Sequence, residues 1–184
     1  MSPVTFSINR SQEIISGRMI DMNDYAAEAV RLLCEKNMTI TTAESCTGGL
    51  ISKMITDVSG SSAVFNCGIV SYSNEIKHTL LGVSDKTLEV YGAVSEQTVR
   101  EMAQGVLKIA QADIAVAVSG IAGPSSDGTD KPVGLIYIAV ATTETVKIKK
   151  LNNVFSVNIR ENNRNSAANE ALKLVCSVLH NQVV

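Results

Sequence analysis

Residues 113–119 read "DIAVAVS", a run that is apolar at every position from Ile114 to Val118. A strand with one wet face alternates apolar and polar side chains, whereas an unbroken apolar run needs cover on both faces. This stretch therefore predicts the central strand of a sheet with helices packed above and below. That requirement places the chain in the α/β class. With 184 residues, 45% of them hydrophobic, there is material for one core of this kind.

The remaining segments supply the partners. "NDYAAEAVRLLCEKN" predicts a helix capped by Asn23 or Asp24, with Ala26, Ala29, Val30 and Leu33 on one face and Asn37 at its exit. The β-branched "MTITTA" reads as a strand. "LISKMITDVSG" follows with a stripe of Leu50, Ile51, Met54, Ile55 and Val58, stopped by Gly60. "VFNCGIVSY" is a second strand. Ser73, Ser84 and Ser95 each suit the cap of a helix or helical turn, the last of them opening the amphipathic "EQTVREMAQGVLKIAQA". "LIYIAVAT" and "TVKIKKLNNVF" are separated by a short turn and so predict antiparallel neighbours, with Lys147 and Lys149 protecting an edge. A closing helix in "NRNSAANEALKLVCSVLHNQV" carries Ala168, Leu172, Val175 and Leu179 on one side. The expected architecture is a three-layer α/β/α sandwich with a mixed, mostly parallel sheet. Residues 1–22 show no period and read as an N-terminal extension, a mobile or assembly arm without chemistry, ahead of a single domain over 23–184.

Charge and cysteine usage narrow the function classes. A net charge of −2, with basic residues scattered apart from Lys147, Lys149 and Lys150, offers no electrostatic footprint for nucleic acid. Cys34, Cys46, Cys67 and Cys176 form no CxxC pair, the N-terminus lacks the apolar core of a signal peptide, and no apolar run approaches the roughly 20 residues that span a bilayer. These features point to a cytoplasmic protein with reduced thiols and no membrane partner. There is no Walker A loop, no dinucleotide fingerprint and no metal-ligand spacing, so neither metal nor cofactor is expected.

In a sheet of this type, sites form beyond the carboxyl ends of the strands, where loops lead into helices. Three segments converge there: "AESCTGG", "SYSNEIK" and "SGIAGP". In the first, Ser45 is either a nucleophile held at a strand-to-helix turn or an ordinary helix cap, and Cys46 beside it is a rival nucleophile or a packing residue. No histidine accompanies them, since His78 and His180 fall on presumed helix surfaces.

The ordered set "TTAESCTGG", "GIVSYSNEIKHTLLGV", "YGAVSEQTV", "VSGIAGP" and "KPVGLIYIAV" resembles the C-terminal domain of the competence/damage-inducible protein A family. The stand-alone members of that family are nicotinamide-nucleotide amidohydrolases. The likeness runs from about Asp24 to Leu179. It implies an α/β/α fold and hydrolysis of the carboxamide of nicotinamide mononucleotide to nicotinate mononucleotide and ammonia, a step of pyridine nucleotide salvage. By the same resemblance the catalytic group is Ser45, Tyr72 and Lys77, and a homo-oligomer is expected.

Amide hydrolysis needs an activated nucleophile, a proton for the departing nitrogen and donors for the oxyanion. Ser45 supplies the first. A desolvated Lys77, folded back from the next helix toward Ser45 and Tyr72, supplies a base or proton shuttle, with Tyr72 orienting or relaying the proton. The backbone around Thr47, Gly48 and Gly49 offers donors for developing charge. For a substrate phosphate the candidates are the backbone of Gly120, Ala122 and Gly123, the side chain of Lys131, and Arg160 or Arg164 at the start of the last helix. Each of these basic residues also reads as an ordinary surface charge, Lys77 as a solvated helix lysine and Tyr72 as a strand aromatic. Two departures from the family pattern stand out. Ser126 and Asp127 replace a Gly-Gly pair, and Val157 and Asn158 replace Gly-Asp before the first arginine of the last segment. They motivate an alternative in which the chain is a non-catalytic nucleotide-binding or regulatory module.

Overall fold

The computed structural model describes residues 13–15, 18–20, 25–126 and 128–181. β1 (Glu13–Ile15) and β2 (Arg18–Ile20) pair antiparallel, Glu13 opposite Ile20, in a segment whose sequence shows no period. The rest of the extension over 1–22, and the caps expected at Asn23 or Asp24, lie outside the described residues.

From residue 25 onward the elements run α1 (Tyr25–Lys36), β3 (Ile40–Glu44), α2 (Leu50–Thr56), β4 (Phe65–Val70), α3 (Asn74–Thr79), α4 (Asp85–Tyr91), α5 (Glu96–Ala110), β5 (Ile114–Gly120), β6 (Leu135–Thr142), β7 (Val146–Asn152) and α6 (Ile159–Asn181). One five-stranded sheet has the order β4-β3-β5-β6-β7. β3 pairs parallel with both β4 and β5, while β6 pairs antiparallel with β5 and with β7. β6 therefore runs against the other four strands, giving the mixed, mostly parallel sheet. The apolar run is its middle strand, and β5 is buried from Ile114 to Ser119.

The two faces of that strand divide the core by size. Ile114, Val116 and Val118, with Ile136, Ile138 and Val140 of β6, face a cluster built with α1, α2 and α6. Ala115 and Ala117, with Ala139 and Ala141, face α5 together with Leu81 and Val83. An alanine-paved face lets a helix lie close to the sheet. Gly105 extends the same close packing, since a Cβ there would sit 1.8 Å from the Leu81 carbonyl oxygen.

The expected caps are made. The Ser73, Ser84 and Ser95 hydroxyls accept from the N–H groups of Ile76, Thr87 and Thr98, and Asn37 leaves α1 in the left-handed region at φ 51°. Two boundaries differ from the sequence expectation. α2 stops at Thr56, and Val58 joins the core from a turn in which its N–H bonds to Ile55 and its carbonyl to Ser61. α6 begins four residues ahead of Asn163, at Ile159, because the polar stretch "IRENN" is drawn into the helix by contacts at its start described below. Among the described residues no helix is long and apolar enough to cross a membrane.

Candidate active site

The chain enters β3, leaves to β4 on one side, and returns through β5 on the other. The carboxyl end of β3 is thus a topological switch point, where a crevice opens between diverging connections. The Ser45 N–H still bonds the Val118 carbonyl at 3.0 Å, and the Ser71 N–H bonds the Glu44 carbonyl at 2.8 Å. The sheet ladder therefore carries Ser45 and Ser71 to the edge of the crevice before either chain turns away.

Lys77 lies on α3, only six residues beyond Ser71, and its stem folds back toward the sheet. The amine donates to the Ser71 carbonyl at 2.8 Å and to Ser45 Oγ at 3.1 Å, and the side chain is 1% exposed. Burial disfavours the charged amine and lowers its pKa from 10.5 to about 8. Burial acts in the opposite sense on Cys46, whose thiol is pushed up to about 12. At neutral pH the cysteine is a protonated thiol, while the serine faces an amine with an appreciable neutral fraction.

Ser45, Cys46, Tyr72, Lys77, Gly120, Ala122 and Arg160 line one cavity of about 200 Å³, whose far wall is Ala93, Val94 and Ser119. A larger cavity of about 620 Å³ opens at the opposite end of the sheet, around Met38, Asp113 and the β6–β7 turn. The smaller cavity holds a serine hydroxyl bonded to a buried amine, so chemistry favours it.

Other expected residues are placed less simply. Tyr72 does not share the Lys77 amine with Ser45; it is 62% exposed, and its hydroxyl accepts from Arg160 Nη2 at 3.0 Å. Arg160 Nη1 also donates to the Gly123 carbonyl at 3.0 Å, so this guanidinium spans the mouth of the cavity. Arg164, one turn further along α6, donates to the Thr47 carbonyl at 2.7 Å and braces the turn that carries Ser45. Lys131 donates to the carbonyls of Tyr91 and Val94 at 2.6 and 2.7 Å, which ties its loop to the cavity wall. The Gly48 N–H bonds the Ser45 carbonyl at 3.1 Å and the Gly49 N–H bonds a Glu44 carboxylate oxygen at 3.0 Å, so these two amides are already engaged within the turn.

Two contributors escaped the sequence reading. Glu44, wholly buried, caps the turn after β3 from beneath; a carboxylate ending a β-branched run was the available signal, because a buried charge must find partners. Asn163, 1% exposed, donates from Nδ2 to the Ala122 carbonyl at 3.0 Å. Together with Arg160 it explains why the polar start of α6 is helical: its side chains hold the loop after β5.

The chain matches the family model described as the CinA C-terminal domain over residues 22–179. It is 52% identical over 132 residues to a putative competence-damage inducible protein of Thermoanaerobacter sp. (strain X514), covering 72% of this chain and 32% of that protein. The chain thus spans about a third of the length of the first such relatives. It is 57% identical over 120 residues to the nicotinamide-nucleotide amidohydrolase PncC of Enterobacter agglomerans, covering 65% of this chain and 73% of that one. The crystal structure of the competence damage-inducible protein A (ComA) from Klebsiella pneumoniae subsp. pneumoniae MGH 78578 superposes with a TM-score of 0.84 at 33% identity, over 89% of this chain and 100% of that chain. With its sheet, its switch-point crevice and its motifs in family order, this chain belongs to the CinA C-terminal domain family.

Proposed function

We propose that the protein hydrolyses the carboxamide of nicotinamide mononucleotide, giving nicotinate mononucleotide and ammonia, as a step of pyridine nucleotide salvage. The observation that carries this reading is the fully buried Lys77 amine 3.1 Å from Ser45 Oγ. The similarity to the amidohydrolase of Enterobacter agglomerans supports the choice of substrate.

In its neutral form Lys77 accepts the Ser45 proton as Oγ attacks the carboxamide carbon. The new C–O bond forms while the carbonyl π pair moves onto oxygen. Collapse of this intermediate expels the nitrogen, which takes the proton from Lys77 and leaves as ammonia. An ester remains on Ser45. Water then gives a proton to Lys77 while attacking the ester, Ser45 recovers that proton as the acid is expelled, and the acid ionises to the carboxylate by losing its remaining proton to solvent. Arg160 at the mouth takes the substrate phosphate, while the ring and its carboxamide enter the cavity; the guanidinium's two hydrogen bonds at that mouth support this reading. Tyr72, held by Arg160, orients that guanidinium. Ser126 and Val157, where this chain departs from the family pattern read in its sequence, are exposed and are not among the residues that line the cavity.

Ammonia release from nicotinamide mononucleotide by the purified protein tests this reading, with Ser45→Ala as control. Binding of the nucleotide without ammonia release would leave the non-catalytic module instead.

A further inference from the structure

Glu44 stands directly before the nucleophile and is 0% exposed. Its Oε2 accepts from the N–H groups of Gly49 and Ile51, both at 3.0 Å. Its Oε1 accepts from the Ser52 N–H at 2.8 Å and from Ser52 Oγ at 2.7 Å. With its proton committed to Glu44, Ser52 Oγ can only accept from Thr42 Oγ1, 2.7 Å away, which ties the cluster back into β3. The Glu44 backbone carbonyl meanwhile holds the Ser71 N–H, and the Ser71 carbonyl holds the Lys77 amine. One residue therefore reaches both halves of the reacting pair at one remove, by its side chain on the turn that carries Ser45 and by its backbone on Ser71, which anchors Lys77.

Four donors gathered on one buried carboxylate exceed what capping a seven-residue helix requires, since a single side-chain oxygen on one or two N–H groups serves that purpose. The carboxylate also closes a turn in which Gly48 and Gly49 take positive φ, at 60° and 93°, so the path from Ser45 to α2 has few alternatives once those bonds are made. We infer that Glu44 is the positioning residue of the nucleophile: by drawing the N–H groups of Gly49, Ile51 and Ser52 and the Ser52 hydroxyl onto one carboxylate, it sets the turn that holds Ser45 Oγ against the Lys77 amine.

This inference rests on the proposed role of Ser45, and it separates from a purely electrostatic one by sign. A carboxylate acting on Lys77 through its charge would favour the protonated amine and so oppose its use as a base. Removing the charge would then speed reaction at neutral pH, whereas losing the turn geometry slows it.

The experiment is the rate of Ser45 modification by a small sulfonyl fluoride, read by intact mass and peptide mapping at pH 7. It reports the nucleophile independently of any nucleotide. Ser45→Ala fixes the background, and circular dichroism with a cooperative melt shows which variants are folded. Glu44→Gln should label roughly 100-fold more slowly than the native protein, because a misplaced attacking atom costs on that order. Ser52→Ala, which removes one of the four donors, should slow labelling about 5-fold, and Glu44→Asp, which keeps the charge but withdraws it by one methylene, should fall between. If Glu44→Gln does not fold, the other two variants decide. Labelling within about 2-fold of native in every folded variant overturns the inference, and so does faster labelling of Glu44→Gln. Absence of Ser45 labelling in the native protein overturns it together with the nucleophile. Native labelling without ammonia release would sink the proposed function alone.

Discussion

Two loops meet at the crevice, and they are held in opposite ways. The turn after β3 spans five residues, is buried from Ser45 to Thr47, and is pinned from inside by the Glu44 carboxylate. The loop after β5 runs from residue 121 to 134, is exposed at Pro124 to Ser126 and again from Gly128 to Asp130, and is held at its root. It is tied to other elements: Asn163 and Arg160 of α6 donate to the Ala122 and Gly123 carbonyls, and its own Lys131 donates to the carbonyls of Tyr91 and Val94. Bond formation tolerates little misplacement, whereas recognition of a remote group can be met by a side chain that adapts. By the resemblance read from the sequence, the first loop keeps the family motif, and Ser126 and Asp127 of the second depart from it.

The sharpest way to break this contrast is to remove the attacking atom. Ser45→Ala should lower turnover of nicotinamide mononucleotide by several powers of ten, while Cys46→Ala keeps most of it, since the thiol is protonated at neutral pH. Steady-state ammonia release measures both. The reverse ranking would transfer the nucleophile to Cys46.

Lys77 gives the next largest effect and two independent readouts. As the base it must be neutral, so kcat/KM should rise with pH and level off above about 8. A rate that falls through that range would instead identify a charged amine acting on the oxyanion. Lys77→Arg should be nearly as inactive as Lys77→Ala, because a guanidinium keeps its proton. For stability the sign runs the same way. Between pH 8 and 10.5 the unfolded chain holds a proton that the native amine has lost, so native stability rises with pH across that window. The shift corresponds to roughly 3 kcal/mol. Lys77→Met has no such titration, and its stability relative to the native protein should fall by about that amount from pH 8 to 10.5 in denaturant melts.

The two arginines of α6 sharpen the comparison, because they lie one turn apart and each serves one loop. Arg160→Ala should raise KM about 10-fold or more with kcat less affected, as expected when a ground-state contact to phosphate is lost. Arg164→Ala, which frees the Thr47 carbonyl in the turn carrying Ser45, should lower kcat by a few fold and leave KM nearly unchanged. Identical KM and kcat patterns for both variants would mean that the loops do not divide the work.

The layers of the fold were legible because each depends on local chemistry. A fully apolar run demands a central strand, and serines ahead of amphipathic stretches mark caps, as Ser73, Ser84 and Ser95 do. The Ser45–Lys77 pairing was named by the family resemblance, and local spacing made it feasible, since a stem seven residues past the end of β4 can fold back on it. What stayed hidden was cooperative. Nothing local in "TTAESCTGG" says that the partners of Glu44 lie five, seven and eight residues on. Likewise "IRENN" has no helical stripe; its helix is justified by what Arg160 and Asn163 hold across the crevice. Tyr72 was grouped with Lys77 by the resemblance, yet its exposed side chain meets Arg160, 88 residues away.

Lys131 provides the mildest test and concerns the adaptable loop alone. From its sequence it reads as a phosphate ligand, but its amine is spent on two backbone carbonyls, and Gly92 beside it leaves only 3.2 Å between a hypothetical Cβ and the amine nitrogen. A lysine committed in this way contributes through the wall that it ties down. Ser119 donates to Ala93 in the same wall at 2.7 Å, so a second hydrogen bond supports it when the lysine is lost. Lys131→Met should therefore change KM by no more than about 3-fold and leave kcat within 2-fold, with a small loss of stability on the order of 1 kcal/mol. The salt dependence of KM discriminates the roles. If the amine leaves its carbonyls to meet the phosphate, Lys131→Met should weaken that dependence as Arg160→Ala does; if it only fastens the wall, the native dependence should remain, because no charge contact with the substrate was removed.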